Sequence, residues 1–293
     1  MVRVFVVIPF KDEFGSLSRC MESLITQLST GVEAVLVDDG SANGPGSDAR
    51  LKPFFDNPGV HLLSHARNLG PGAARNTGID WCRKAGGEIV IFLDSDCTAH
   101  PDFVDAHIQL HDENPTIACF GGAIYGEGRG IWAKIDGVMS WFTSLPGKSP
   151  GEVKKPLHLP TTNMSLKLSR LEAGDVFDPR LRTGEDVAFI KILRKREERV
   201  FFSPKPEITH FDRTDFGDFF RHQYRWGLHT YAVRFGNESP SIVRQAAFAV
   251  TFAVAVPVYV LYATWLNLVP WVRRSPVYLF YLPLLLLFYG IKG

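Results

Sequence analysis

Charge is nearly balanced along this 293-residue chain: 32 Lys and Arg stand against 31 Asp and Glu, for a formal net charge of +1. A general nucleic-acid binder needs a clustered positive surface to displace phosphate counterions, so that class is excluded and no nucleic acid is expected as a partner. Cysteine is scarce as well. Cys20, Cys82, Cys97 and Cys119 form no CxxC pair and no zinc spacing, which excludes a disulfide scaffold and a zinc module and predicts free thiols in a reducing compartment. There is no GxGxxG sequence, and hence no dinucleotide site to read. Internal repeats and low-complexity tracts are absent too. The opening MVRVFVVIPFKDE meets charged residues too early for the apolar region of a signal peptide, so the bulk of the chain is expected to face the cytoplasm. Apolar material is not lacking: 45% of residues are hydrophobic, which excludes a disordered chain and predicts a packed core.

The charge balance hides a split. From Arg244 onward there are four basic residues, Arg244, Arg273, Arg274 and Lys292, and no Asp or Glu. Residues 1–243 hold 28 basic and 31 acidic residues and are mildly acidic. Arg244 and Arg273 enclose 28 uncharged residues, and Arg274 and Lys292 enclose 17. A bilayer-spanning helix needs about 20 mostly apolar residues. Residues 244–293 therefore read as a membrane region, with expected transmembrane helices at about 245–270 and 275–291. Pro276 and Pro283 weaken the second, and Arg273 and Arg274 would fall in an outer turn against the positive-inside tendency. One span plus an interfacial segment is the alternative.

In the first hundred residues, short β-branched runs at Val4–Ile8, Ala34–Val37, Val60–Leu63 and Ile89–Leu93 alternate with helix-compatible stretches at Leu17–Leu28 and Ala73–Lys84. Strand, helix, strand repeated in this way predicts an α/β fold with a mostly parallel central sheet and flanking helices. Right-handed crossovers bring the four strand ends to one edge, where open sheets bind ligands. Residues 121–162 lose regular period and read as variable loop. A helix is expected at Asp186–Arg196, a strand in RVFFSP, and a helical aromatic and basic stretch at 215–235.

The strand ends carry the chemistry. Asp94-Ser95-Asp96 follows the apolar run IVIFL. Two carboxylates one residue apart can hold a hard divalent cation whose other ligands are diphosphate oxygens, although such a segment can equally be a turn with local side-chain bonds. Asp38-Asp39-Gly40-Ser41 ends a neighbouring strand, where a carboxylate can accept from a base edge or ribose hydroxyls; Asp-Gly is also an ordinary turn signal. After the third strand comes Asn68-Leu69-Gly70-Pro71-Gly72-Ala73-Ala74-Arg75-Asn76-Thr77-Gly78, whose small residues admit close backbone approach and whose Arg75 offers a donor fork. Glu185-Asp186 presents either a general base or acidic residues complementing a helix dipole.

In order, spacing and content, VVIPFKDE, VDDGS, NLGPGAARNTGI and FLDSDC resemble the opening of the family 2 glycosyltransferases, and the resemblance runs on through Asn163-Met164-Ser165 and Thr183-Gly184-Glu185-Asp186 to about residue 230. It implies a GT-A fold over residues 1–235, with a nucleotide-binding half at 1–120 and an acceptor-side half at 121–235. It implies that Pro9, Asp38, Asp39, Arg75, Asp94 and Ser95 line the donor-nucleotide pocket. Asp96, with Asp94 and His210, would hold Mg²⁺ or Mn²⁺. Asp186, beside Glu185, is implied as the catalytic base of an inverting transfer from a UDP- or GDP-linked sugar. Asn163, Arg225 and Trp226 fall on the acceptor or diphosphate side. In processive members a Gln-x-x-Arg-Trp motif lies beyond the base; here His222 stands where Gln would be, which speaks against polymer synthesis. Together with the membrane region, these features predict a membrane-anchored glycosyltransferase with its catalytic domain facing the cytoplasm and an acceptor such as a lipid-linked glycan or polyprenyl phosphate. Two other readings compete. Asp94-Ser95-Asp96-Cys97-Thr98 is similar to the nucleophile motif of haloacid-dehalogenase phosphatases, and a catalytically silent, membrane-tethered nucleotide-binding protein could keep the same fold.

Overall fold

The computed structural model describes residues 2–155, 157–174, 176–235 and 242–292, with side chains described outside 228–256 and 291–292. Two compact units emerge, Met1–Tyr125 with Thr143–Phe211, and Gly126–Phe142 with Asp212–Gly293.

The first unit is built on β1 (Val4–Phe10), β2 (Val32–Asp38), β3 (Val60–Ser64) and β4 (Ile89–Leu93). β1 lies between β2 and β4, and β2 pairs with β3, all parallel. The expected runs were each within two residues of these bounds. β1, β2 and β4 are buried along nearly their whole length, as strands covered on both faces must be. Helices α1 (Phe14–Leu24), the short α2 (Lys52–Phe55) and α3 (Pro71–Lys84) supply the connections. α3 lies close against β1 because Gly78 has no side chain: a Cβ there would sit 2.5 Å from Val7 Cγ1.

Beyond β4 the sheet changes direction. β5 (Cys97–Ala99), helix α4 (Phe103–Glu113), β6 (Cys119–Glu127), the two-residue β7 (Gly151–Glu152), β8 (Asn163–Lys167), helix α6 (Glu185–Lys195) and β9 (Val200–Phe211) follow, with helix α5 (Gly130–Ser140) assigned to the second unit. β8 runs antiparallel to β4 and β6, and β9 antiparallel to β5 and β7. Among the described residues the order is β3-β2-β1-β4-β8-β6-β9-β5, with β7 on β9. The sheet is mixed, which corrects the expectation of a mostly parallel one. Residues 121–162, read as variable loop, contain part of β6, all of α5 and β7. β6 opens with the buried, glycine-containing CFGGAI, which shows no alternation because both faces are covered. One core of Phe5, Val35, Phe92, Met164, Phe177 and Phe189 joins both halves, with Phe177 stacked on Phe189 at 4.4 Å and edge-on to Phe92 at 5.5 Å.

The second unit is helical: α5, α7 (Phe216–Phe235), α8 (Ile242–Arg274), a 3₁₀ segment Pro276–Tyr281 and α9 (Leu282–Lys292). Trp132 of α5 packs on Phe219 of α7 and Phe288 of α9. Asp136, fully buried, accepts from Arg213 Nη1 at 3.0 Å and from Gln223 Nε2 at 3.3 Å.

The expected transmembrane helices need correction. Among the described residues no helix is long and apolar enough to cross a membrane. The second expected span is interrupted: Pro276 opens the 3₁₀ segment, and the 11-residue α9 extends about 16 Å against the roughly 30 Å of a bilayer core. The first falls on α8, whose residues 245–256 lie outside the described side chains. In the rest of α8, Ala263, Thr264 and Asn267 turn inward, as do Leu268 and Trp271, so this stretch packs against protein along one side.

Candidate functional site

The site forms at the carboxyl ends of the parallel strands, where the first unit gathers its buried charge. Gly40, with φ +72°, allows the VDDGS turn to lie against the third turn: a Cβ there would come within 2.4 Å of the Arg67 carbonyl carbon. Asp39 is fixed in that contact. It accepts from the backbone N–H of Leu69 and Gly70, both at 2.8 Å, while His65 Nδ1 lies 2.8 Å from Asp39 Oδ1 and His65 Nε2 2.9 Å from Thr77 Oγ1. Asp38 Oδ1 accepts from the backbone N–H and hydroxyl of Ser41. Both carboxylates are buried; Asp39 joins the second strand's turn to the third, and Asp38 closes its own turn. Pro9 lies half-buried near the end of β1, paired with Val37.

Arg75, 3% exposed, projects from α3 between two carboxylates. Its Nη1 donates to Glu185 Oε1 at 2.7 Å and its Nη2 to Asp94 Oδ1 at 2.6 Å. The structure thus places both terminal nitrogens of the fork on carboxylates of the chain. Burial works against the charged guanidinium, but Asp94 and Glu185 more than offset it and raise its pKa further. Asp94 also accepts from Thr162 Oγ1 at 2.8 Å. Sequence reading missed Thr162, and its adjacency to the recognised Asn163 was the available signal. Ser95 is buried between the two aspartates.

Asp96 is the more open carboxylate, at 31% side-chain exposure, and its Oδ2 lies 3.3 Å from His210 Nε2. The register accounts for this: Cys97 of β5 faces His210 of β9. Asp96, Cys97 and His210 bring one ligand atom each within 4.8 Å of one another; the carboxylate and imidazole suit a divalent cation, while burial pushes the Cys97 thiol well up and keeps it protonated. Cys97 had not been singled out from the sequence.

Gly184, in the left-handed conformation, starts α6 and turns Glu185 and Asp186 inward. Both are buried. Burial pushes the Asp186 carboxyl up to about 6, with the Val187 N–H and the Arg75 charge opposing the rise and Asp94 adding to it. Glu185 is also raised by burial, against the pull of Arg75. Asp186 Oδ1 accepts from its neighbour Val187 N–H at 2.7 Å, and His158 Nε2 lies 3.9 Å from Asp186 Oδ2. His158 lies in the stretch that carried no pattern in the sequence. Arg75 therefore ties the Asp94 end of β4 to the Glu185–Asp186 end of α6.

Three residues were expected on the acceptor or diphosphate side. Asn163 is fully buried: its Nδ2 donates to the carbonyls of Ala123 and Pro206, and its Oδ1 lies 2.9 Å from His107 Nε2. With these bonds it ties β8 to β6, β9 and α4. Arg225 and Trp226 lie on α7, in the second unit, with Arg225 exposed and Trp226 half-buried.

A curled α/β sheet with paired aspartates after β4, and an acidic pair opening a later helix, defines the GT-A class. The family profile "Glycosyl transferase family 2" matches residues 5–173, more than half the chain. The chain belongs to glycosyltransferase family 2. Among curated relatives it is 28% identical over 244 residues to the pre-mycofactocin glycosyltransferase of Mycobacterium tuberculosis, matching 82% of this chain and 48% of that protein. It is 26% identical over 230 residues to glycosyltransferase AglE of Haloferax volcanii, covering 76% and 71%. The chain thus spans about half the length of the mycobacterial relative. In fold it is similar to the mannosyltransferase PcManGT from Pyrobaculum calidifontis, solved with GDP-Man and Mn²⁺, at TM-score 0.62 and 17% identity, covering 99% of this chain and 86% of that one. It is also similar to GalNAc-T7, solved with UDP, GalNAc and Mn²⁺, at TM-score 0.54 and 22% identity, covering 73% and 44%.

Proposed function

We propose that the chain transfers a sugar from a UDP- or GDP-linked donor to an acceptor hydroxyl with inversion, using Asp186 as general base. The observation that carries this reading is the Asp94–Arg75–Glu185 bridge, which couples the donor-side aspartate to the base-bearing helix. An acceptor hydroxyl is a weak nucleophile until a positioned carboxylate takes its proton, and a carboxyl near 6 is matched to that task close to neutral pH. Glu185, held by Arg75, fixes the start of α6 and so orients its neighbour. Asp96 and His210 would hold a divalent cation, Mg²⁺ or Mn²⁺, which when bound neutralises charge developing on the departing nucleoside diphosphate. The pocket roles of Pro9, Asp38, Asp39 and Ser95 belong to the same proposal. Both similar structures were solved with a nucleotide or nucleotide sugar and Mn²⁺, which supports the donor class.

The phosphatase alternative loses its ground. Its nucleophile would be Asp94, whose oxygens are engaged by Arg75 and Thr162, and the family match covers the whole motif. The silent-binder reading is distinguished by turnover.

We extend the proposal to a membrane-associated enzyme facing the cytoplasm with a lipid-linked acceptor, supported by the acid-free, apolar sequence from Arg244 onward. The test has three parts. Thermal shifts with UDP, GDP and their sugars, with Mn²⁺ and with EDTA, should show a metal-dependent rise with one nucleotide. The full chain should turn over that donor against lipid-linked glycan or polyprenyl phosphate. It should also pellet with membranes on cell fractionation. No shift in a folded sample overturns the donor reading; recovery in the supernatant overturns the membrane reading.

A further inference from the structure

The second unit leaves several large apolar side chains in the open. On α8, Val258, Leu261, Tyr262 and Trp265 recur at the spacing of one helical face and are 66%, 62%, 50% and 70% exposed. The opposite side of the same stretch, through Ala263, Thr264 and Asn267, is buried. Beyond the end of α8, Phe280 in the 3₁₀ segment is 82% exposed. An apolar face of this kind marks an interaction surface in a soluble domain.

Charge decides what covers it. Arg273 and Arg274, both exposed, end α8 about two turns beyond the stripe, and no acidic residue follows Glu238. A protein partner would have to match an apolar stripe beside two cations of one sign. An anionic lipid surface supplies both at once: acyl chains for Leu261 and Trp265, and headgroup phosphates for the arginines. Tyr262 and Trp265 suit the boundary because a ring buries its apolar body while its polar edge stays wet. Because the opposite side of this stretch of α8 is buried against protein, the fitting mode is in the plane of the interface.

We infer that the α8 face of Val258, Leu261, Tyr262 and Trp265, with Phe280, Arg273 and Arg274, is an interfacial docking surface for a membrane containing anionic lipid. The inference deepens the membrane part of the proposed function, rests on it, and is independent of the sugar-transfer part. It replaces a spanning anchor by a reversible, salt-sensitive one.

The test uses the full chain and two variants, L261S/W265S/F280S and R273E/R274E, with sucrose-loaded vesicles of phosphatidylcholine alone or with one quarter phosphatidylglycerol. The wild-type chain should sediment with the anionic vesicles and far less with the neutral ones, and high salt should release it. R273E/R274E should lose about thirtyfold or more in affinity for anionic vesicles, at roughly one order of magnitude for every one to two arginines. L261S/W265S/F280S should bind neither, while both variants keep the wild-type melting temperature. Equal sedimentation of wild type and L261S/W265S/F280S overturns the inference. So does wild-type self-association in analytical ultracentrifugation that this variant abolishes without any vesicle binding, which would assign the face to a second copy. If the wild type pellets with cell membranes and the apolar variant does so equally, this surface is refuted while the membrane reading stands; if the wild type does not pellet, both fall.

Discussion

The two units differ most in what they leave exposed. The first buries charge: Asp39, Arg75, Glu185 and Asp186 are each 3–7% exposed, and each has a hydrogen-bond partner. The second leaves Tyr224, Val258, Trp265 and Phe280 at 50–82% exposure. Burying ions is costly unless they are paired, so the first unit is committed to one geometry. Exposed aromatics cost little in isolation and are an investment in contact with something else. The proposed chemistry therefore falls on the first region, and the proposed attachment on the second.

That contrast can be broken at several points. The largest effect is expected at Arg75. Arg75→Met leaves Asp94 and Glu185 unpaired, and removing one partner of a buried ionic network costs about 3–5 kcal/mol, read as a lowered denaturation midpoint at pH 7.5. Next is Asp186→Asn, for which transfer should fall by about 10²–10⁴-fold, the usual contribution of a general base, with nucleotide affinity nearly unchanged. Equal loss of both would remove Asp186 from the role of base. Asp96→Ala should instead abolish the metal-dependent part of nucleotide binding, and unchanged affinity with Mn²⁺ would exclude it as a ligand.

The pH dependence of stability sharpens the same contrast. Asp186 has a folded pKa raised from 3.8 to about 6 by burial, so the folded state holds its proton where the unfolded chain has lost it. Stability contributed by this group is present below about pH 4 and is lost as pH rises toward 6. Asp186→Asn should therefore be more stable than wild type at pH 7.5, by an amount on the order of 3 kcal/mol, and the difference should vanish near pH 3.5. In the wild type, turnover should rise through an acid limb near pH 6 as the carboxyl ionises. The smallest stability effect belongs to the second unit: Trp265→Ser should shift stability by no more than about 0.5 kcal/mol, as exposed positions do. A larger loss in calorimetry would mean that the ring is packed in the folded protein.

Much of the first unit could be read from the chain. The strands β1 to β4 are near-continuous β-branched runs because they are covered on both faces, and the turn formers that follow them mark the ligand edge. Asp94, Asp96 and Glu185-Asp186 were visible because they are acidic clusters at strand and helix ends. The antiparallel strands β5, β6 and β8 were harder. They are short or glycine-containing, and β8 acquires its meaning only from the register that sets Asn163 opposite Leu93. Asn163 was recognisable as a motif residue, yet its motif could not say that its amide ties strands together. The second expected span was misread because an uncharged run looks the same whether or not a helix runs through it unbroken, and the Pro276 break appears only in three dimensions; the first lies partly outside the described side chains.

The sequence by itself determined the alternating α/β opening, the aspartates after β4 and the acidic pair at the start of α6, because local propensity and backbone turn chemistry act over a few residues. Tertiary structure alone decided that Arg75 reaches Glu185, 110 positions away, and that His210 faces Asp96. It also decided that Asp186 titrates near 6 and that Trp265 points outward. Those properties depend on which distant segments exclude water from a group or supply its counter-charge, and no short stretch of chain carries that information.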